Sequence, residues 1–600
     1  MKTAKVLVAM LPLLVLPYGS NAQKSQDAAP TFTATSEVIL VPVVVRDKTG
    51  KHITGLGKGD FSVNENGKPQ TVAFFQEVQS QTVIKPVKVN AGELSNQLSA
   101  DTGPQKVTII AIDAVNATVT DQAYARLQLL KFLNTRLNKG EPTTLLVLRD
   151  NGIRVIHDFT TDTAALIAAL KGVTGTVSVN TNTPKTGNSA FSQEMVRAAI
   201  TEGMSNQNLS ATDPFVKLLA DDVEALLAFQ YGEEGEYYRT RAAELTLEGL
   251  QHIAQAYAGI PGRKSLLWIT GGLPFDVDKN GTLRSPAQFF KGVTNAMNYG
   301  GTASTNGALP PLPDATNLIR DDQLKVLEPL YQQTLRALSA ANMAVYPIDA
   351  RGLVVYFPGA DSQGINLTLS HEQELLHAES RNSLDRFAQM TGGKICFNHN
   401  DLAECFRDAD TDTDRYYLLG YYRDQKIKKA GWRTIEVRLQ RPDAVVRARD
   451  GYFYSPEGPD SKSARQMDVS LALASPLDYT AVPFTAKWRK VGATGADGKN
   501  PLRFDLYLPP GAAFIDEQHG NALNLDFVAL ASTPKGERAD QVAQTITANL
   551  KPEAMTQIRT DGINYNNTLK LAPGHYTVRF IVRDNSSGRM GSIVTAVTVN

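Results

Sequence analysis

The chain has 600 residues, 42% of them hydrophobic and 20% charged, enough for several globular units each with its own core. Its 61 basic and 61 acidic side chains cancel, and no lysine or arginine run stands out. That balance argues against a nucleic-acid groove, whose first footprint is a basic patch.

At the N-terminus, Lys2 and Lys5 precede an apolar run from Val6 to Pro17, and Ser20-Asn21-Ala22 follows before Gln23. This order of charged, apolar and small residues predicts a secretory signal peptide over 1–22, cleaved after Ala22. The run is too short to span a bilayer, and no later stretch reaches the roughly 20 apolar residues a spanning helix needs. The expectation is an exported chain, periplasmic or extracellular, with no membrane span once the leader is removed. Residues 23–35 are polar and read as a linker.

The β-branched runs Val38 to Val45 and Thr71 to Phe75 flank segments rich in Gly, Asn, Asp and Lys, so 36–80 reads as strands and turns. Residues 80–105 are loose and polar. From Lys106 strand and helix alternate. "KVTIIAID" is an almost continuous apolar strand, as expected where both faces are covered. Tyr124, Leu127, Leu130, Leu133 and Leu137 then recur at helical spacing behind Thr120 or Asp121 as cap. "TTLLVLRDNGIRVIHDF" predicts a hairpin about Asp150-Asn151-Gly152, "TDTAALIAALKGV" a helix, and 174–235 carries insertions. Ala243, Leu247, Leu250, Ala254 and Tyr257 mark another helix, "GRKSLLWITGG" a buried strand opening into a glycine turn, and 276–314 a long surface loop. Tyr331, Leu335 and Leu338 lie on a helix that Pro329 begins. "NMAVYPIDARGL" is the next strand, "SLDRFAQMTGGKICF" a helix and strand, and "DLAECFRDADTD" the last helix.

Such alternation over 106–412 predicts a doubly wound α/β sheet with ligands at the carboxyl ends of its strands, where Asp113, Thr270 and Asp349 stand. Past Arg415 the helices cease. "YYLLGYYRD", "WRTIEVRLQ" and "AVVRARDGYFY" predict strands over 415–456, which with 36–80 make a small accessory β-sandwich. Residues 457–466 read as a linker, and 467–600 as an all-β C-terminal sandwich.

In this order the elements resemble the von Willebrand factor A domain, with "KVTIIAID" as first strand, "LLVL" and "IRVIHDFTTD" as hairpin, "GRKSLLWITGG" as central strand and "NMAVYPID" as the next. More narrowly, "VPVVVRDKTGKHITGLGKGDFSVNENGKPQ", "IDARGL", "TGGKICFNHNDL", "YYLLGYY" and "IEVRLQRPDAVVRARDGYFY" look like the bacterial exported VWFA-related family abundant in Acidobacteria, over roughly residues 35–456. The A-domain family often holds a divalent cation through Asp-x-Ser-x-Ser after the first strand, a threonine from a later loop and an aspartate after the central strand. Those are oxygen ligands suited to a hard cation. Here Asp113 matches the first aspartate, but Val115 and Ala117 stand at the serine positions. Thr270-Gly271-Gly272 puts glycine where the second aspartate is expected. The expectation is no metal and no cofactor, with Asp113 capping its turn together with Asn116.

Two other constellations fail on spacing. His371-Glu372 and His377 suggest a zinc helix, but histidines six apart lie about 240° round a helix, on different faces. Asp408, Asp410, Asp412 and Asp414 begin like a calcium loop, yet Thr413 and Leu419 stand where glycine and glutamate are required. The expectation there is a solvated helix end. No nucleophile elbow, P-loop or dinucleotide fingerprint occurs, and no catalytic residue is assigned. Cys396 and Cys405 are the two cysteines, and a disulfide and two free thiols both stay open. The functional expectation is an exported, non-catalytic protein-binding or adhesion-type protein whose partner is a protein or cell-envelope component. Its binding face would be Asp113, Asn116, Thr270 and the loop 273–314. A metal-dependent adhesin and an envelope hydrolase are the alternatives.

Overall fold

The computed structural model describes residues 38–600 except 82–84, 86, 101–102, 118, 137–140, 174, 176–232, 274, 279–280, 285–320, 351–380, 398, 400, 425–428, 457, 490–494 and 518–519. The signal peptide, the first linker and the His371 to His377 segment therefore lie outside the described residues.

Four apolar runs, Val107–Asp113, Thr143–Arg149, Lys264–Thr270 and Met343–Asp349, form the centre of the molecule, and all but Arg149 of their residues are buried. Burial on both sides is what a strand without polar alternation requires. They pair in parallel in the order 343–349, 264–270, 107–113, 143–149, and Gly152–Thr160 closes one edge antiparallel to Thr143–Arg149. The hairpin turn sits at Asp150-Asn151, with Gly152 at φ +101°, a conformation that favours glycine.

One face of this sheet is covered by the helices Glu233–Tyr257 and Asp321–Ala340 and a helix over 381–391, the other by Val119–Arg136, Thr163–Lys171 and Leu402–Thr411. Ala243, Leu247, Leu250, Ala254 and Tyr257 are all buried, so their spacing did define the inner stripe of their helix. Two helices differ from expectation. Val119–Arg136 buries Ala125, Leu129, Phe132 and Leu133, while Leu127 points to solvent. Asp321–Ala340 starts eight residues before Pro329, which lies inside it. A proline there forfeits one helical hydrogen bond, a loss offset by burial of Leu327, Tyr331, Leu335 and Leu338 around it.

The strands on either side of the core in sequence pair with each other. Ala444–Ala448, Val38–Asp47, Arg415–Tyr422 and Val72–Gln79 make one four-stranded sheet. Gly451–Tyr454, Gly431–Leu439, Phe61–Glu65 and Lys68–Gln70 make a second. Val41, Val43, Phe61, Tyr417, Leu419 and Ile435 pack between them. The C-terminal part has two further sheets, Ile563–Leu571, Asn500–Leu508, Thr485–Trp488 and Glu93–Ser95, and Arg538–Asn549, Ala522–Ser532, Gly574–Asp584 and Met590–Val599.

Three expectations are corrected here. The segment 80–105, read as loose, supplies the edge strand Glu93–Ser95 to the C-terminal sheet. The stretch read as linker and then as all-β contains the helix Lys462–Ala474, capped by Ser461, and a second helix, Pro552–Asp561, interrupts the later strands. The alternating aspartates are not a solvated helix end, since Asp410 and Asp412 are buried. Lys106 pairs with Glu141, Asp410 and Asp414, while Arg46, Arg447 and Tyr346 converge on Asp412, binding the core to the accessory strands.

Candidate functional site

In a doubly wound sheet the crevice lies where the chain leaves one strand to opposite sides, at the carboxyl ends of adjacent strands. Here that place is between Val107–Asp113 and Lys264–Thr270, which pair in register up to Ile112 opposite Ile269. Asp113 and Thr270 are the last residues of the two strands.

Asp113 is fully buried. Its Oδ1 accepts the backbone N–H of Val115 at 2.9 Å and of Asn116 at 3.1 Å. Its Oδ2 accepts the Asn116 Nδ2 at 2.8 Å, the Thr270 Oγ1 at 2.8 Å and the Trp268 Nε1 at 3.2 Å. Five donors of this chain thus meet one carboxylate, three of them from the turn that the aspartate itself caps. The Thr270 hydroxyl also lies 3.1 Å from the Gly272 carbonyl, but it has a single proton, and the nearer acceptor is Asp113 Oδ2 at 2.8 Å. Asn116 extends the network through Nδ2 to the Thr246 Oγ1 at 2.8 Å, and Thr246 donates to the Ala242 carbonyl at 2.7 Å, one turn back on its helix. Burial pushes the Asp113 carboxyl above its ordinary value, while the hydrogen bonds from Asn116, Thr270 and Val115 pull the other way.

The sequence placed Asp113, Asn116 and Thr270 on one binding face. The structure does bring them together, at the expected end of the sheet, but beneath the surface, at 0, 6 and 0% exposure. As direct contact residues they are corrected: each is turned inward because its polar atoms are needed to satisfy one buried charge. Asn116 Oδ1 is left as a buried acceptor without a partner. Of the loop 273–314, the described part folds as the short hairpin Asp276–Val277 with Leu283–Arg284, and Phe275, Val277 and Leu283 are buried against the helix Asp321–Ala340. Sequence reading missed Trp268 and Thr246. The first looked like core alone, and the second lies more than a hundred residues from Asn116, with no local pattern to mark it.

Gly271 is required by close approach. A Cβ there would lie 2.4 Å from the Asn116 carbonyl oxygen and 3.0 Å from the Ala117 Cα, with backbone on both sides. The loop 114–117 has thus closed over the position at which the A-domain pattern carries its second aspartate. Among the described residues no group of three or more His, Cys, Asp or Glu is arranged to hold a metal ion. Cys396 and Cys405 are joined by a disulfide with Cα atoms 5.8 Å apart, tying the segment beside Met343–Asp349 to the helix Leu402–Thr411.

The strands whose sequences resemble the von Willebrand factor A domain all belong to this one mostly parallel, helix-covered sheet. No protein-family model matches the chain, and no curated protein matches it in sequence. Among solved structures it is similar to the vWF domain of the type V pili tip protein Mfa5 from Porphyromonas gingivalis, at 11% identity over 51% of this chain and 93% of that one, with a TM-score of 0.22. The pilus adhesin SpaC from Lactobacillus rhamnosus GG, in its open conformation, is 9% identical over 90% of this chain and 56% of SpaC, with a TM-score of 0.24. The three N-terminal domains of Mfa5 give 10% identity, 88% and 78% coverage and a TM-score of 0.22. Likenesses at these scores leave the fold to be argued from the sheet itself. Among the described residues no helix is long and apolar enough to cross a membrane.

Proposed function

We propose that this chain is an exported, non-catalytic binding protein of adhesion type, whose A-like core engages a protein or cell-envelope component without a divalent cation. The observation that carries the metal-free part is the saturation of Asp113. A hard cation of this class needs about six oxygen ligands. Here both carboxylate oxygens are occupied by five internal donors, Val115 and Ala117 offer no side-chain oxygen, and Gly271 has no room for one. Among the described residues of this network the side-chain acceptor left without a partner, Asn116 Oδ1, is neutral. The residues do not fit the ion.

The binding role rests on the resemblance and on the position of the site at the switch point of the sheet, where folds of this kind receive ligands. Export rests on the leader pattern of residues 1–22. In this reading Asp113, Asn116 and Thr270 hold the rim rigid from below, and the loops above them meet the partner. The domain limits proposed are 36–80 with 415–456 for the accessory sandwich, 106–412 for the core and 467–600 for the C-terminal sandwich. The C-terminal unit takes its edge strand Glu93–Ser95 from outside those limits.

The test is capture of envelope proteins on the immobilised chain 23–600, run in parallel with and without EDTA. A partner retained equally in both supports the proposal. A partner released by EDTA refutes metal-free binding, and capture of nothing refutes the adhesion role.

A further inference from the structure

Where the α/β core meets the accessory sandwich there is a cavity of about 260 Å³, remote from Asp113. Its apolar wall includes Leu338 and Met390 from the core and Pro42 and Leu418 from the sandwich. Arg263, Arg449 and Trp432 line it as well. The Arg263 Nε, the Arg449 Nε and the Trp432 Nε1 are all buried, and none has a hydrogen-bond acceptor.

The two guanidinium groups are held by their other nitrogens. Arg263 Nη2 donates to the Gly392 carbonyl at 2.6 Å and to the Tyr346 hydroxyl at 3.2 Å, and Arg449 Nη2 donates to the Leu40 carbonyl at 2.6 Å. Among the described residues Arg449 has no carboxylate within ion-pair distance. A buried N–H that has left water without finding an acceptor is costly, and three such donors belong to residues that line this one cavity. Two guanidinium groups select an anion, and three separate N–H donors, the Arg263 Nε, the Arg449 Nε and the Trp432 Nε1, suit the several lone pairs of a carboxylate. The apolar wall selects the rest of the molecule, since a fully hydrated anion such as phosphate would gain nothing from it.

We propose that this cavity binds a small carboxylic acid with an apolar body, its carboxylate on Arg263, Arg449 and Trp432 and its body against Leu338, Met390, Pro42 and Leu418. An apolar cavity of about 150 Å³ takes a benzene, so the volume here suits an acid of roughly ten non-hydrogen atoms. The ligand touches the core and the sandwich together, and its binding therefore stiffens the joint between them.

Octanoate has the required size and is the first probe, titrated calorimetrically into the full mature chain with melting followed in parallel. Octan-1-ol and octylamine are the controls, and N-acetyl-leucine stands for a peptide terminus as the alternative source of the same chemistry. The expected result is one saturable octanoate site that raises the melting temperature, with affinity about ten- to a hundredfold above that of octan-1-ol and no binding of octylamine. Arg449→Gln should lower octanoate affinity by a similar factor. Ser339→Phe, which puts a ring into the cavity wall, should abolish it in a folded protein. Tighter binding of N-acetyl-leucine than of octanoate would support the same site with a chain terminus as its natural occupant. Octan-1-ol binding as well as octanoate, or no saturable acid binding, overturns the proposal. Should Arg449→Gln fail to fold, the comparison of acid, alcohol and amine on the unaltered chain still decides.

Discussion

At Asp113 one side chain gathers a strand end, its own turn, the neighbouring strand and, through Asn116 and Thr246, a helix. Replacing it by alanine strands five donors in a buried place. Asp113→Ala should therefore cost about 3–5 kcal/mol in urea unfolding, since a stranded buried donor costs about 1–3 kcal/mol and several lose their acceptor at once. A loss under about 1 kcal/mol would mean that the donors find water and the network is not structural. Gly271→Asp, which restores the oxygen absent from the cation pattern, is expected to destabilise by about 1–3 kcal/mol through overpacking against the Asn116 carbonyl, and to gain no stability from magnesium. A magnesium-dependent rise in its melting temperature would show that the loop 114–117 yields and the site can be rebuilt.

Among the elements, those with long runs or strict spacing were legible. The four buried strands show as apolar runs, the Asp150-Asn151-Gly152 turn as a hairpin, and the helix through Leu247 and Leu250 as a stripe. Glu93–Ser95 was not, because three polar-flanked residues have no period and their pairing partner lies nearly 400 positions away. Nor was the helix Lys462–Ala474, whose first residues share the Ser- and Lys-rich composition of a linker. Asp410 and Asp412 looked solvated because the cations that pair with them in the interior, Lys106, Arg46 and Arg447, are remote in sequence. Half of the candidate site was readable in the same sense: Asp113 with Asn116 and Thr270, but not the inward turn of all three. The short edge strand has a direct check. Asn96, buried beside it, donates to the Tyr479 and Val482 carbonyls and accepts from the Phe484 N–H. Asn96→Ala should cost about 2–4 kcal/mol and speed hydrogen exchange over Thr485–Trp488 while leaving Val107–Asp113 protected. Unchanged exchange at Thr485–Trp488 would mean that the edge strand is dispensable.

Across the whole molecule the C-terminal sandwich is locked to the core. Gly259 approaches the Thr480 carbonyl so closely that a Cβ would sit 2.1 Å from it, and Thr480 Oγ1 donates to the Ala256 carbonyl at 2.8 Å. His252 pairs with the Tyr479 hydroxyl at 2.6 Å across the same contact, and Arg583 with Asp468 anchors the helix Lys462–Ala474 to the sandwich. Burial, with a smaller push from Arg579, lowers His252 from 6.5 to about 4. The fold accepts the neutral ring, so this contribution is whole above pH 6.5 and is lost as the pH falls from 6.5 toward 4. The full loss is about 3 kcal/mol. Asp478, raised to about 6 by burial, acts in the opposite sense, its contribution fading as the pH rises through 6. Comparing urea midpoints of the parent and His252→Gln at pH 7 and pH 4.5 separates the two. The variant should lose less stability on acidification, and equal losses would contradict the assignment.

Whether Asp113 can hold a cation is read by calorimetric titration of magnesium and manganese into the mature chain, with Asp113→Asn as the paired sample. No saturable heat and the same melting temperature with either ion or with EDTA are expected. Stoichiometric binding that disappears in Asp113→Asn would contradict this expectation, and would mean that the five donors around Asp113 give way to a cation.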